Sequence, residues 1–152
     1  MRLSTLVMAL LCSFSVNLYA GDLMISDGWV RAVPPEAPNS AAYMKIANHK
    51  DAAVTLVAAN SSVAKMVQIH LSKKEGGMMK MEHQKEGVAV PAGGTLELKP
   101  GSYHVMLMGL KQPLKEGDQV KVVLKFSDGS EKELMLPVAT SDMKSGMSHM
   151  DH

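Results

Sequence analysis

Only one cysteine, Cys12, stands in the 152 residues, and it falls in a segment that reads as a processing signal. Arg2 supplies a short basic region, an apolar run covers residues 6–11, and small or polar residues precede Ala20. The run is too short for a spanning helix, and Leu18-Tyr19-Ala20 offers a cleavage site. Residues 1–20 are therefore expected to be removed on export, with the mature chain starting at Gly21 and no stable membrane insertion. Leu11 stands where a lipid-anchored signal favours a small residue, so Cys12 is not read as a lipidation site. Residues 21–152 hold no thiol. This excludes a disulfide framework, a catalytic cysteine, a blue-copper thiolate and a haem-attachment motif.

Charge of one sign is lacking too. Once Arg2 is gone, 15 basic residues face 15 acidic ones. Without a clustered basic footprint, neither nucleic acid nor an anionic membrane is an expected partner. No window sustains a helical i, i+3, i+4, i+7 pattern, and there is no internal repeat. The chain beyond residue 21 is instead a series of short apolar or alternating runs, at 23–32, 41–48, 53–61, 65–71, 78–83, 87–90, 95–98, 102–108, 119–126 and 131–138, separated by Gly, Pro, Asn and Asp. That rhythm predicts an all-β fold, a single domain over 21–138 built as a two-sheet sandwich or Greek-key barrel and acting as a monomer. Residues 32–40, with three prolines, are expected to cross the surface as a loop. Residues 139–152 have too little apolar bulk to join a core and are expected to form a flexible tail.

Methionine is what the chain has in excess. Twelve of the 14 lie beyond the signal, together with all six histidines. Met24, Met44, Met66 and Met135 sit in apolar segments and are expected to fill gaps in the core. Elsewhere methionine keeps company with histidine. In Tyr103-His104-Val105-Met106-Leu107-Met108, strand alternation sends Val105 and Leu107 to the core and leaves His104, Met106 and Met108 on the other face. A neutral imidazole beside a soft, uncharged sulfur suits Cu(I) and not Mg²⁺ or Ca²⁺, which take oxygen. His104 and Met106 are thus candidate metal ligands. Upstream, His70 has the opposite parity to Val67 and Ile69 and shares its face with Gln68. Met79, Met81 and His83 share one parity, and alternation alone does not choose among them. In the tail, Met143, Met147, His149, Met150 and His152 have a metal-binding composition and make a candidate second copper site, for Cu(II) through the histidines or Cu(I) through the methionines.

His70, Met81 and His104-Val105-Met106 recur in an order and spacing that closely resembles the periplasmic PCu(A)C-type copper chaperones. Asp27-Gly28-Trp29-Val30-Arg31, Ala41-Ala42-Tyr43-Met44 and Pro91-Ala92-Gly93-Gly94 extend the resemblance over nearly the whole mature domain. It implies a cupredoxin-like β-sandwich that holds one Cu(I) near its surface through His70, Met81, His104 and Met106. It further implies a periplasmic carrier without catalytic residues, not an enzyme. The recipient would be a copper protein such as a haem-copper oxidase centre or another copper chaperone. Here the interval from Met81 to His104 is one residue longer than the family pattern, an extra residue assigned to the turn at 83–87. Leu71 and Ser72 stand where the family often places a further methionine. Two competing classes remain: copper storage or scavenging, which uses the same ligands, and a structural or adhesion sandwich, which binds no copper tightly.

Overall fold

The computed structural model describes residues 22–140. The expected signal at 1–20, with Cys12, and the candidate tail ligands Met143, Met147, His149, Met150 and His152 lie outside the described residues. Within them ten strands run in order: β1 (Leu23–Arg31), β2 (Asn39–Asn48), β3 (Val54–Asn60), β4 (Ala64–Glu75), β5 (Met78–His83), β6 (Val88–Val90), β7 (Thr95–Leu98), β8 (Tyr103–Leu110), β9 (Gln119–Phe126) and β10 (Glu131–Ala139). The all-β expectation holds, and each predicted run overlaps one strand, with β2 starting two residues earlier, at Asn39. Among the described residues no helix is long and apolar enough to cross a membrane.

Hydrogen bonding links the strands in the order β5-β4-β8-β2-β1-β10-β9-β3-β6, with β7 on β2. Along this path β1 and β10 pair in parallel, through Val30 with Val138 and Arg31 with Ala139. That step joins two antiparallel halves, which pack face to face. Val30, Ala42, Met44, Ile46, Ile69, Val105 and Leu107 from one half meet Leu56, Val90, Val120, Val122, Leu124 and Phe126 from the other in one continuous core. Alternation decides which side chains enter it.

Three local devices set the register around β8. Gly76 and Gly77, both at positive φ (60° and 78°), close the β4–β5 hairpin as a two-residue loop between Glu75 and Met78. This is the type I′ geometry, whose twist matches paired strands and which glycine adopts without penalty. Lys99, Pro100, Gly101 and Ser102 form the turn into β8, closed by Ser102 N donating to Lys99 O at 3.0 Å, with Gly101 at φ 82° as a type II turn requires. In β1 the pairing with β2 shifts between Ser26 and Trp29, at Asp27 with φ 53°. The extra residue resets the alternation, so that Val30 faces the core while Trp29 packs with Ala41 and Tyr43 in a separate small cluster.

Two expectations need correction. The run predicted at 65–71 continues to Glu75, because β4 is held over Ser72, Lys73, Lys74 and Glu75 by backbone pairing with β5 and not by apolar burial. Of the four methionines assigned to the core, only Met44 is buried; Met24, Met66 and Met135 are exposed. Each of the three lies on the outer face of its strand, where alternation overrides the apolar character of the segment.

Candidate metal centre

The register of β4, β5 and β8 brings together residues far apart in sequence. His70 pairs with His104 across β4 and β8, and with His83 across β4 and β5. The three imidazoles form one row, with ring centroids 5.9 Å apart for His70 and His104 and 5.5 Å for His70 and His83. Met106 stands opposite Gln68, one row to one side, and Met81 stands opposite Ser72, one row to the other. Met79, opposite Lys74, is a further row away. On β5 the intervening Lys80 and Glu82 carry ion pairs to Glu75 (3.6 Å) and Lys73 (3.2 Å) of β4.

A cavity of about 380 Å³ opens on this face, lined by Met79, Met81, His104 and Met106 together with Arg31 and Tyr43 among others. His70 lies beside the cavity, next to His104, and not in its wall. Four of the sequence-predicted ligands are thus on one face, with Met79 and His83 close enough to compete. The sequence reading gave no role to Gln68, Arg31 or Tyr43. Arg31 lies with its guanidinium carbon 5.3 Å from the Tyr43 ring centroid, which fixes a cation at the rim.

Both central histidines have one ring nitrogen hydrogen-bonded and the other free. His104 is buried, and its Nδ1–H donates to the Ser102 carbonyl at 3.1 Å, which leaves the lone pair on Nε2. His70 Nε2–H donates to Gln68 Oε1 at 2.9 Å, which leaves the lone pair on Nδ1. His104 Nε2 and His70 Nδ1 are buried and have no hydrogen-bond partner. A buried polar atom without a partner is costly, and one on each of two adjacent histidines calls for an explanation. A metal ion accepting both lone pairs would supply it, and Ser102 O and Gln68 Oε1 hold each ring in the tautomer such an ion needs. Burial pushes the His104 pKa below the ordinary histidine value, against the Ser102 hydrogen bond and with help from Arg31. Burial likewise pushes His70 down, aided by His104 and His83. Both rings are therefore kept neutral, the form that binds metal.

Among the described residues no group of three or more His, Cys, Asp or Glu is disposed to hold a metal ion. The thioethers of Met81 and Met106 stand on the same face, one row to either side of the two central histidines. Two neutral imidazoles with two neutral sulfurs match a soft monovalent cation.

These features define an all-β sandwich with a pocket of nitrogen and thioether donors on the outer face of one sheet. Residues 23–138 match the LpqE-like family, described as "Putative lipoprotein LpqE-like", and the chain belongs to that family. It is 39% identical over 119 residues to the "Putative lipoprotein Lxx21020" of Leifsonia xyli subsp. xyli, covering 78% of this chain and 70% of that protein. Among solved structures it is similar to the Cu(I) form of DR1885 from Deinococcus radiodurans, at 35% identity and a TM-score of 0.63 over 80% of this chain and 83% of the other. A copper-bound PCuAC domain from PmoF2 superposes with a TM-score of 0.65 at 21% identity, over 79% of this chain and 94% of the domain, a likeness of fold. The family resemblance and the cupredoxin-like sandwich read from the sequence both stand.

Proposed function

We propose that the protein binds one Cu(I) through His70 Nδ1, His104 Nε2, Met81 and Met106 and passes it to a recipient copper protein of the cell envelope, such as an oxidase centre or another copper chaperone. The observation that carries this reading is the pair of unpartnered, buried imidazole nitrogens on adjacent strands, at the edge of a cavity lined by thioethers. The Cu(I) form of DR1885, a protein 35% identical to this chain, supports the choice of ion. No donor in the set has to lose a proton from a thiol, so the site works in an oxidising compartment where paired cysteines would form disulfides. Delivery is favoured over storage because Met81 is 57% exposed on the edge strand β5, where a partner's sulfur or nitrogen can displace it. The lipoprotein description of the family agrees with export. We read Leu11 before Cys12 as favouring release into the periplasm over a lipid anchor.

The test is a Cu(I) competition titration of the full mature chain under reducing conditions, with a colorimetric chelator as competitor. One tight core site is expected; the absence of tight binding would return the protein to the structural-sandwich class. Within the site, Met81→Leu removes a sulfur while keeping volume. It weakens binding, whereas Met79→Leu changes it little, since Met79 lies one row further from the histidines. The reverse ranking would move the site along β5.

We further propose that the tail ligands Met143, Met147, His149, Met150 and His152 hold a second copper ion and load the core. Tethering makes that transfer intramolecular, at an effective concentration on the order of millimolar. The informative truncation ends at Thr140, because Ala32 N donates to Ala139 O at 2.9 Å and a chain cut before Ala139 loses that bond. The truncated protein binds one copper fewer and loads more slowly from Cu(II) plus reductant, with core affinity unchanged. Equal stoichiometry and equal loading rate would leave the tail without a copper role.

A further inference from the structure

The outer face of β4 and β8 carries a second group of soft donors that the site above does not use. Met66 pairs directly with Met108, one row beyond the pairing of Gln68 with Met106. Directly opposed side chains of an antiparallel pair have Cβ atoms roughly 5 Å apart, and diagonal neighbours lie at about 7–8 Å, within reach of long side chains. Met66 and Met108 are therefore neighbours, and Met106 is a diagonal neighbour of Met66 and lies two residues from Met108 on β8. Methionine has three rotatable bonds, which lets the three sulfurs converge. Met66 is 53% exposed and Met108 is half-buried, so neither is fixed in the core.

One side chain connects this group with the histidine row. Gln68 Nε2 donates to Met66 Sδ at 3.2 Å, while Gln68 Oε1 accepts the hydrogen of His70 Nε2 at 2.9 Å. The amide that fixes the tautomer of His70 also holds Met66 toward the same row.

We propose that Met66 and Met108, with Met106 as a shared donor, form a second, all-thioether site for a soft monovalent cation, Cu(I) or Ag(I), adjoining the His70 and His104 row. Three uncharged sulfurs discriminate against hard cations and against ions that need nitrogen or oxygen. Because Met106 belongs to both donor sets, an ion can leave His104 for Met66 and Met108 one ligand at a time without being released. That exchange rests on the copper reading above; binding of a soft cation at Met66 and Met108 does not.

The experiment uses the full mature chain with ¹³C-methyl-labelled methionine and ¹⁵N-labelled histidine, titrated with Ag(I), a diamagnetic and redox-inert probe. Each methionine methyl, tail included, reports on its own position. The Met66 and Met108 signals are expected to shift together with a common midpoint, and Met108→Leu to raise the Met66 midpoint at least tenfold, with Met66→Leu doing the same to Met108. Both changes conserve volume at positions outside the core. Stationary Met66 and Met108 signals while Met81 and the histidine rings respond would overturn the second site and leave the first. A Met66 response unaltered by Met108→Leu would also overturn it, since each sulfur would then be meeting the ion alone. Paired shifts of Met66 and Met108 with no response from Met81, His70 or His104 would support the second site and sink the first.

Discussion

Replacing His104 with alanine lowers Cu(I) affinity at least tenfold, a loss of about 1.4 kcal/mol or more, while the sandwich stays folded. The expectation rests on where the residue sits. His104 is on the outer face of β8, between Tyr103 and Val105, and its Nε2 is buried with no hydrogen-bond partner. In the metal-free protein that unpaired atom is a cost, on the order of 1–3 kcal/mol for a buried polar group left unsatisfied. Truncation to alanine relieves the cost and leaves a small void, and the two effects oppose each other in stability. In the copper-bound protein nothing offsets the loss of the nitrogen. Met106→Ala behaves in the same way through loss of sulfur, because Met106 is only half-buried and the core partners of β8 are Val105 and Leu107. Competition titration gives the affinities, and thermal unfolding of the metal-free variants gives the stabilities. Unchanged affinity in both variants would remove β8 from the site.

How much of the molecule was legible in the sequence differs between levels of structure. The ten strands were legible because turn residues bracket short runs of apolar or alternating side chains, and both signals are local. The end of β4 was not, since Ser72, Lys73, Lys74 and Glu75 look like a solvated loop until their backbone pairs with β5. The exposed Met24, Met66 and Met135 were misread because a methionine inside an apolar segment gives no indication of face unless parity is counted. Counting parity did succeed on β8, where His104 and Met106 lie opposite Val105 and Leu107. Convergence was a harder matter. His70, Met81 and His104 meet through two registers, one set by the two-glycine hairpin and one by the β4–β8 pairing, and neither is written in the ligands themselves. The family resemblance supplied what spacing alone did not. Gln68 was placed on the correct face without a role, because its hydrogen bond to His70 depends on rotamers. Arg31 and Tyr43 reach the cavity through pairing of β1 with β2 after the bulge at Asp27, a shift that no run of residues announced.

The decline in Cu(I) affinity with falling pH should be centred below the ordinary histidine value and become steep toward the acid end. A pair of solvated histidine ligands would instead give a decline near pH 6 to 7, around the usual pKa of about 6.5. Burial is the first cause of a lowered pKa at both His70 and His104. Protons compete with the metal for His70 Nδ1 and His104 Nε2, and a lowered pKa means that they compete effectively only at more acid pH. Below the folded pKa values both nitrogens must lose a proton to bind, so affinity falls toward about a hundredfold per pH unit, since thioethers do not titrate. His104→Ala removes one of the two protons and reduces that limiting slope to about tenfold. The same depression makes the metal-free fold sensitive to acid. Its unfolded chain takes up these protons near the ordinary value while the folded chain does not, so stability falls from there down to the folded pKa values. The measurement is competition titration from about pH 8 to about pH 4 on the chain ending at Thr140, a window that brackets the ordinary histidine value and a truncation that keeps the tail histidines out of the curve. A flat profile to the acid limit would remove the histidines from the ligand set. A decline centred near the ordinary value of about 6.5 would show that the two rings are solvated, and that their unpartnered nitrogens are not held for a metal.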